Sequence, residues 1–157
     1  MLRFIYSVYQ SIERGYVLQE TKLKFPSEEW MARFVEELNK NQDYREAAKD
    51  WEGDMILVVN AGPGIEKEWA AYLDLWHGEC RGWSILPDRN AKKAEFVIEG
   101  PLQSWMKLIK GEMDATRALM GRKIKITGSM MKIMRNVSTS TEFTKNSRRV
   151  PTDFPPG

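Results

Sequence analysis

The pattern Ala94-Glu95-Phe96-Val97-Ile98-Glu99, then Pro101, Leu102, Trp105, Met106, Leu108, Ile109 and Gly111, then Asp114, Ala118 and Met120, then Lys123-Ile124-Lys125-Ile126-Thr127-Gly128, decides the fold. Residues 94–99 form a short run with Phe96 and Ile98 on one face, which predicts a strand. Pro101 suits a first helical turn, the apolar spacing from Leu102 to Ile109 predicts a helix, and Gly111 is its stop. Residues 114–120 predict a second short helix that ends at Gly121. Lys123 to Thr127 alternates strictly, as a strand with a charged outer face does.

Working upstream, Met55-Ile56-Leu57-Val58-Val59 is a β-branched apolar run and predicts a strand. Tyr72-Leu73-Asp74-Leu75-Trp76 and Gly82-Trp83-Ser84-Ile85-Leu86 alternate around His77-Gly78, the pattern of a hairpin. Pro26-Ser27-Glu28-Glu29 announces a helix with Trp30, Phe34, Val35 and Leu38 on one stripe, and Ser27 as its cap. Residues 44–51 predict another short helix, and Thr21, Leu23 and Phe25 an extended stretch. Residues 2–14 read as an amphipathic helix. Downstream, residues 130–137 return to helical spacing, and residues 148–157, with three prolines, read as an extended or mobile tail. Strands mixed with helix pairs, without regular βαβ alternation, argue for an α+β fold. The hairpin makes the sheet at least partly antiparallel.

At 157 residues the chain is long enough for one domain with a real core. Its single Cys and single His exclude an internal disulfide, a multi-cysteine zinc site and any site built on two imidazoles. His77-Gly78-Glu79-Cys80 holds both, yet a zinc deaminase would need a later Pro-Cys-x-x-Cys, which one cysteine cannot supply. Asn60-Ala61-Gly62-Pro63-Gly64 imitates a dinucleotide-binding loop. Lys67 stands where the third glycine would be, and Pro63 removes an amide donor, so a tight turn is the better reading. No apolar run reaches the roughly 18 residues of a spanning helix.

Charge and methionine are uneven. Residues 1–116 carry a net −5 and residues 117–157 a net +7, with Arg117, Arg122, Lys123, Lys125, Lys132 and Arg135 crowded together. This is the solvated face of a strand and helix, or a patch for phosphate or an anionic surface. Met113, Met120, Met130, Met131 and Met134 are five of the nine methionines, either gap-filling core or the wall of an adaptable cavity.

The order strand, Trp-bearing helix, Gly, short helix and Lys-Ile-x-Ile-x-Gly strand over residues 94–128 resembles the sterol carrier protein 2 lipid-transfer family. The upstream strand and hairpin fall where that family has its first three strands. One departure is Arg122, which stands between Gly121 and the Lys-Ile strand where the family commonly has Gly directly. The resemblance implies an α+β fold with a five-stranded, mainly antiparallel twisted sheet, helices covering one face, and an apolar tunnel between them. It implies binding and transfer of sterol-like molecules, fatty acids or fatty acyl-CoA, with no cofactor and no catalysis.

On that basis the expected lipid-lining residues are Trp83, Ile85, Phe96, Ile98, Trp105, Ile109, Met113, Met120, Ile124, Ile126, Met130 and Met134. They combine the inward faces of the strands with the apolar stripes of the later helices. Arg117, Arg122 and Arg135 are candidate headgroup contacts, and no catalytic residue or metal ligand is assigned. The expected organisation is an N-terminal segment 1–25, a lipid-binding domain 26–147 and a tail 148–157. The expected partners are a lipid or fatty acyl ligand, with a transient membrane contact and a homodimer left open, no nucleic acid, and a cytoplasmic location. Two other readings of the sequence stay open. One is an enzyme or accessory subunit of lipid metabolism using His77, Asp74 and Glu79. The other is an anion- or nucleic-acid-binding module using the basic C-terminal third.

Overall fold

The computed structural model of the protein describes residues 21–156, so the helix expected over residues 2–14 lies outside the described residues. Beyond a short first strand, β1 (Leu23–Lys24), come β2 (Met55–Asn60), β3 (Trp69–Trp76), β4 (Glu79–Leu86), β5 (Phe96–Pro101) and β6 (Lys125–Thr127). The last five form one sheet in the order β4-β3-β2-β5-β6. Only β2 and β5 run parallel, and the other neighbours are antiparallel, as expected. The central strand β2 is buried on both faces, which is why it contains no polar residue before Asn60. Met55, Leu57 and Val59 join the main core, while Ile56 and Val58 pack with Ala70, Tyr72, Leu86, Ala94 and Val97 on the other face.

The β3–β4 hairpin closes through His77 (φ 48°) and Gly78 (φ 82°). Two left-handed residues twist the turn to match its strands. A Cβ at Gly78 would sit 2.8 Å from the Arg45 carbonyl, so this position also needs glycine for space. Between β4 and β5 the chain is tied down by Arg89, which bonds Glu68 on one side and Glu99 on the other.

Helices cover one face. Ser27 caps α1 (Glu28–Lys40), its hydroxyl accepting from the Trp30 amide at 3.0 Å, and Trp30, Met31, Phe34, Val35 and Leu38 turn inward. The next helix, α2 (Gln42–Ala47), begins two residues before its expected start, because Asn41 caps it by accepting from the Tyr44 amide. Then come α3 (Leu102–Lys110), ended by left-handed Gly111, and α4 (Ala115–Met120), capped by Asp114. Strand β6 is shorter than expected. The amides of Lys123 and Ile124 are spent on the Ala118 carbonyl at the end of α4, so pairing with β5 begins only at Lys125. That turn places Arg122 at φ 56°, the left-handed conformation that glycine adopts without strain.

The expected helix over residues 130–137 is two helices, α5 (Met130–Arg135) and α6 (Val137–Asn146). The second was not foreseen, since Val-Ser-Thr-Ser-Thr-Glu-Phe-Thr-Lys-Asn has little apolar periodicity. Its end is locked by buried amides. Asn146, fully buried, donates to the Phe34 carbonyl at 3.0 Å and accepts from Asn41 at 3.1 Å. Asn41 in turn accepts from Arg149. The tail is extended and attached: Val150 is buried, and β7 (Thr152–Asp153) pairs in parallel with β1.

Two expectations follow from this packing. Asn146→Ala leaves the Asn41 amide and the Phe34 carbonyl unpaired in the interior, and urea denaturation should show a loss of about 2–4 kcal/mol. Cys80 is held under α1, its amide donating to the Asn39 side chain at 2.8 Å, and burial pushes its thiol up to about 11. The fold therefore favours the neutral thiol. That contribution is complete below the thiol's unfolded pKa and is lost as pH rises through about 11. At pH 8, iodoacetamide should label Cys80 at least about tenfold more slowly in the folded protein than in urea.

Candidate functional site

The apolar faces of sheet and helices do not meet completely. Between them lies a cavity with about 130 Å³ of free space. Its floor is the sheet: Met55, Leu57 and Val59 of β2, Leu75 of β3, Ile98 of β5 and Ile126 of β6. Its walls are Met31 and Phe34 of α1, Trp105 and Ile109 of α3, Ala118 and Leu119 of α4, and Ile133 and Met134 of α5. The α6 helix contributes Thr139, Ser140, Phe143 and Thr144. Among the described residues no charged side chain lines it.

The wall stays open because its parts are held by polar bonds and aromatic edges. Trp105 donates its ring N–H to the Val58 and Gly100 carbonyls, so the indole is anchored on the sheet with its apolar body facing the space. Thr139 donates to the Ala47 carbonyl, and the Phe143 ring meets Phe34 edge-on at 5.1 Å. These contacts fix α6 without requiring a full apolar stripe. The cavity reaches the surface between α4, α5 and α6, since Thr116, Met134 and Val137 both line it and are exposed.

Of the residues expected to line a lipid site, Ile98, Trp105, Ile109, Ile124, Ile126 and Met134 are brought together here. The others lie elsewhere. Trp83 and Ile85 pack on the core from the edge strand β4, and Phe96 is fully buried against Trp51. Met113 packs against Leu108, Ala118 and Ile124, which line the space, but does not line it itself. Met120 and Met130 are 71% and 40% exposed. The methionine cluster is thus mainly neither core nor wall, because α4 and α5 are only six residues long and turn Ala118 and Ile133 inward instead. Sequence reasoning missed the aromatic wall of Phe25, Trp30, Phe34, Tyr44, Trp51 and Phe143. The α1 stripe signalled Trp30 and Phe34. Nothing signalled Phe143, isolated among hydroxyl residues.

Arg117, Arg122 and Arg135 are all exposed. None has a carboxylate partner among the described residues, and Arg135 touches only the Met131 sulfur. Arg117 follows Thr116 and Arg135 follows Met134, so both flank the opening. Lys132 departs from the basic run: its ammonium pairs with both Glu95 oxygens and lies over the Trp51 ring. His77, Asp74 and Glu79 do not converge. His77 pairs with Glu52 at 2.8 Å, Asp74 with Arg81 and Glu79 with Arg45, and none of the three lines the cavity. Among the described residues no three His, Cys, Asp or Glu side chains are grouped to hold a metal, and no helix is long and apolar enough to cross a membrane.

The fold has known counterparts. A crystal structure of sterol carrier protein 2 superposes with a TM-score of 0.73 at 33% identity, covering 79% of this chain and 97% of that one. A conserved hypothetical protein of Thermus thermophilus, described as possibly sterol carrier protein, gives 0.75 at 30% identity, covering 85% and 94%. The sterol carrier protein domain 2 of Helicoverpa armigera shares the fold, at 0.54 and 17% identity, over 80% and 91% of the two chains. No curated protein matches the chain by sequence. The SCP-2 sterol transfer family matches residues 33–139, well over half of the chain. With that match and two relatives at 30% identity or more, the chain belongs to the SCP-2 sterol transfer family.

Proposed function

We propose that this protein binds a lipid in the apolar cavity and carries it without covalent chemistry. The observation that supports this reading is an interior space of about 130 Å³ with no charged lining, open to the surface beside two unpaired arginines. Each methylene moved from water into such a space contributes about 0.8 kcal/mol. That force has little direction, so it accommodates several apolar shapes, among them sterol-like molecules, fatty acids and the acyl part of fatty acyl-CoA. The free space is below the roughly 300 Å³ of ordinary ligand pockets, so loading has to part the wall. The wall that moves is α5 and its junction with α6, where Met134 and Val137 are already half in solvent, while the rest of α6 stays held through Thr139 and Asn146. Residues 26–147 are the proposed lipid-holding unit. The cytoplasm is the proposed compartment, a location in keeping with a lone cysteine kept as a free thiol.

Arg117, Arg122 and Arg135 are the proposed contacts to anionic headgroups of a donor bilayer. The exposed Met120, Met131 and Met134 beside them are flexible and polarizable, suited to an apolar boundary of varied shape. Arg122 supports this reading in a second way. Its backbone would be relieved by glycine, so the side chain is kept against a local conformational cost.

Native mass spectrometry of the purified protein, with organic extraction, should reveal co-purified lipid, and a fluorescent fatty acid should bind. Ala115→Trp, which fills the cavity from α4, should weaken that probe at least about tenfold by occupying its volume. A protein that carries no lipid and ignores the probe would refute the reading. The double variant Arg117→Glu/Arg135→Glu should lose at least about tenfold in binding to phosphatidylserine vesicles at low salt, with little change on phosphatidylcholine vesicles. Equal loss on both would remove the arginines from the headgroup role.

A further inference from the structure

Tyr44 is fully buried in α2, and its ring forms part of the cavity wall. Its hydroxyl is the buried side-chain oxygen or nitrogen that, among the described residues, has no hydrogen-bond partner. Several polar side chains of the surrounding helices are already engaged, while the Ser140 and Thr116 hydroxyls, which also line the space, are partly or wholly exposed to solvent. Thr139 donates to the Ala47 carbonyl, Thr144 to the Ser140 carbonyl and Ser147 to the Thr144 carbonyl. The Asn41 amide donates to the Asn146 side-chain oxygen, and the Asn146 amide donates to the Phe34 carbonyl. Phe143, tilted against the Tyr44 ring at 6.1 Å, holds the ring in place. For packing alone phenylalanine would serve better at this position, because a buried hydroxyl without a partner is disfavoured.

We propose that the Tyr44 hydroxyl is the polar recognition point of the cavity, and that it takes the uncharged oxygen, a hydroxyl or carbonyl, at the inner end of a bound lipid. This rests on the reading of the cavity as a lipid site. The phenol can donate and accept, so it suits either oxygen. Burial raises its pKa well above the free value and keeps the donor proton in place. An ionised carboxylate is disfavoured at that end, because the lining offers, among the described residues, no cation to replace its lost water. The ligand class that fits is therefore a lipid that enters oxygen-first with a neutral function, such as a long-chain or sterol-type alcohol.

The test is competition against a fluorescent fatty acid by 1-dodecanol and by dodecane, each delivered on cyclodextrin, with wild type and Tyr44→Phe. Tyr44→Phe should weaken dodecanol by about 3–10-fold and leave dodecane unchanged, the loss expected for one hydrogen bond. Its melting temperature should be equal to or above that of wild type, since no internal bond is lost. A lower melting temperature, or the same change for both competitors, would overturn the proposal. In wild type, dodecanol carrying 13C at its first carbon should show nuclear Overhauser contacts to the Tyr44 ring. Contacts confined to Met134 and Val137 would overturn it without recourse to a variant. If neither competitor displaces the probe from wild type, the lipid-cavity reading itself fails and takes this proposal with it.

Discussion

The buried bond between the Asn41 and Asn146 amides is the constraint on which the cavity depends. One amide caps α2 and meets the start of the C-terminal segment through Arg149. The other fastens the end of α6 to the backbone of α1. A helix with so few apolar residues would ordinarily gain little from docking on a core. Here the directed bonds position it, and its inner face is free to line space that it does not fill.

The same economy runs through the site. Trp105 is tethered to the sheet by its ring nitrogen, and Thr139 to the end of α2, so large and small groups stand around the space in fixed places. Both faces of β2 are covered, which gives a rigid floor beneath a wall built from short helices. Rigid floor and short-helix wall together suit an interior that takes up a guest by moving one side. The charged chemistry is kept outside: Lys132 with Glu95, Asp74 with Arg81 and His77 with Glu52 are paired on the surface, away from the apolar lining.

Much of the fold was legible before any coordinates. Alternation marked β3 and β4, the β-branched run marked β2, and Ser27, Asp114, Gly111 and Gly121 marked helix ends, because caps and periods are local properties of a few neighbouring residues. The site was only half legible. Ile98, Trp105, Ile109, Ile124 and Ile126 were found from the faces of their elements. Met120 and Met130 stand outside the cavity wall, since composition cannot say which way a six-residue helix turns. Phe143 and the α6 helix were missed because hydroxyl residues carry no apolar rhythm.

Residue order alone therefore determined the strands, the caps, the charge asymmetry between residues 1–116 and 117–157, and the family, since each is written in short-range pattern. Tertiary structure decided where the interior stays open, which methionines face water, that Lys132 of the basic run pairs with Glu95, and that Tyr44 is buried with an unspent hydroxyl. Those properties arise from groups far apart in the chain, such as Asn41 and Asn146 or Ala47 and Thr139, whose meeting no local spacing records.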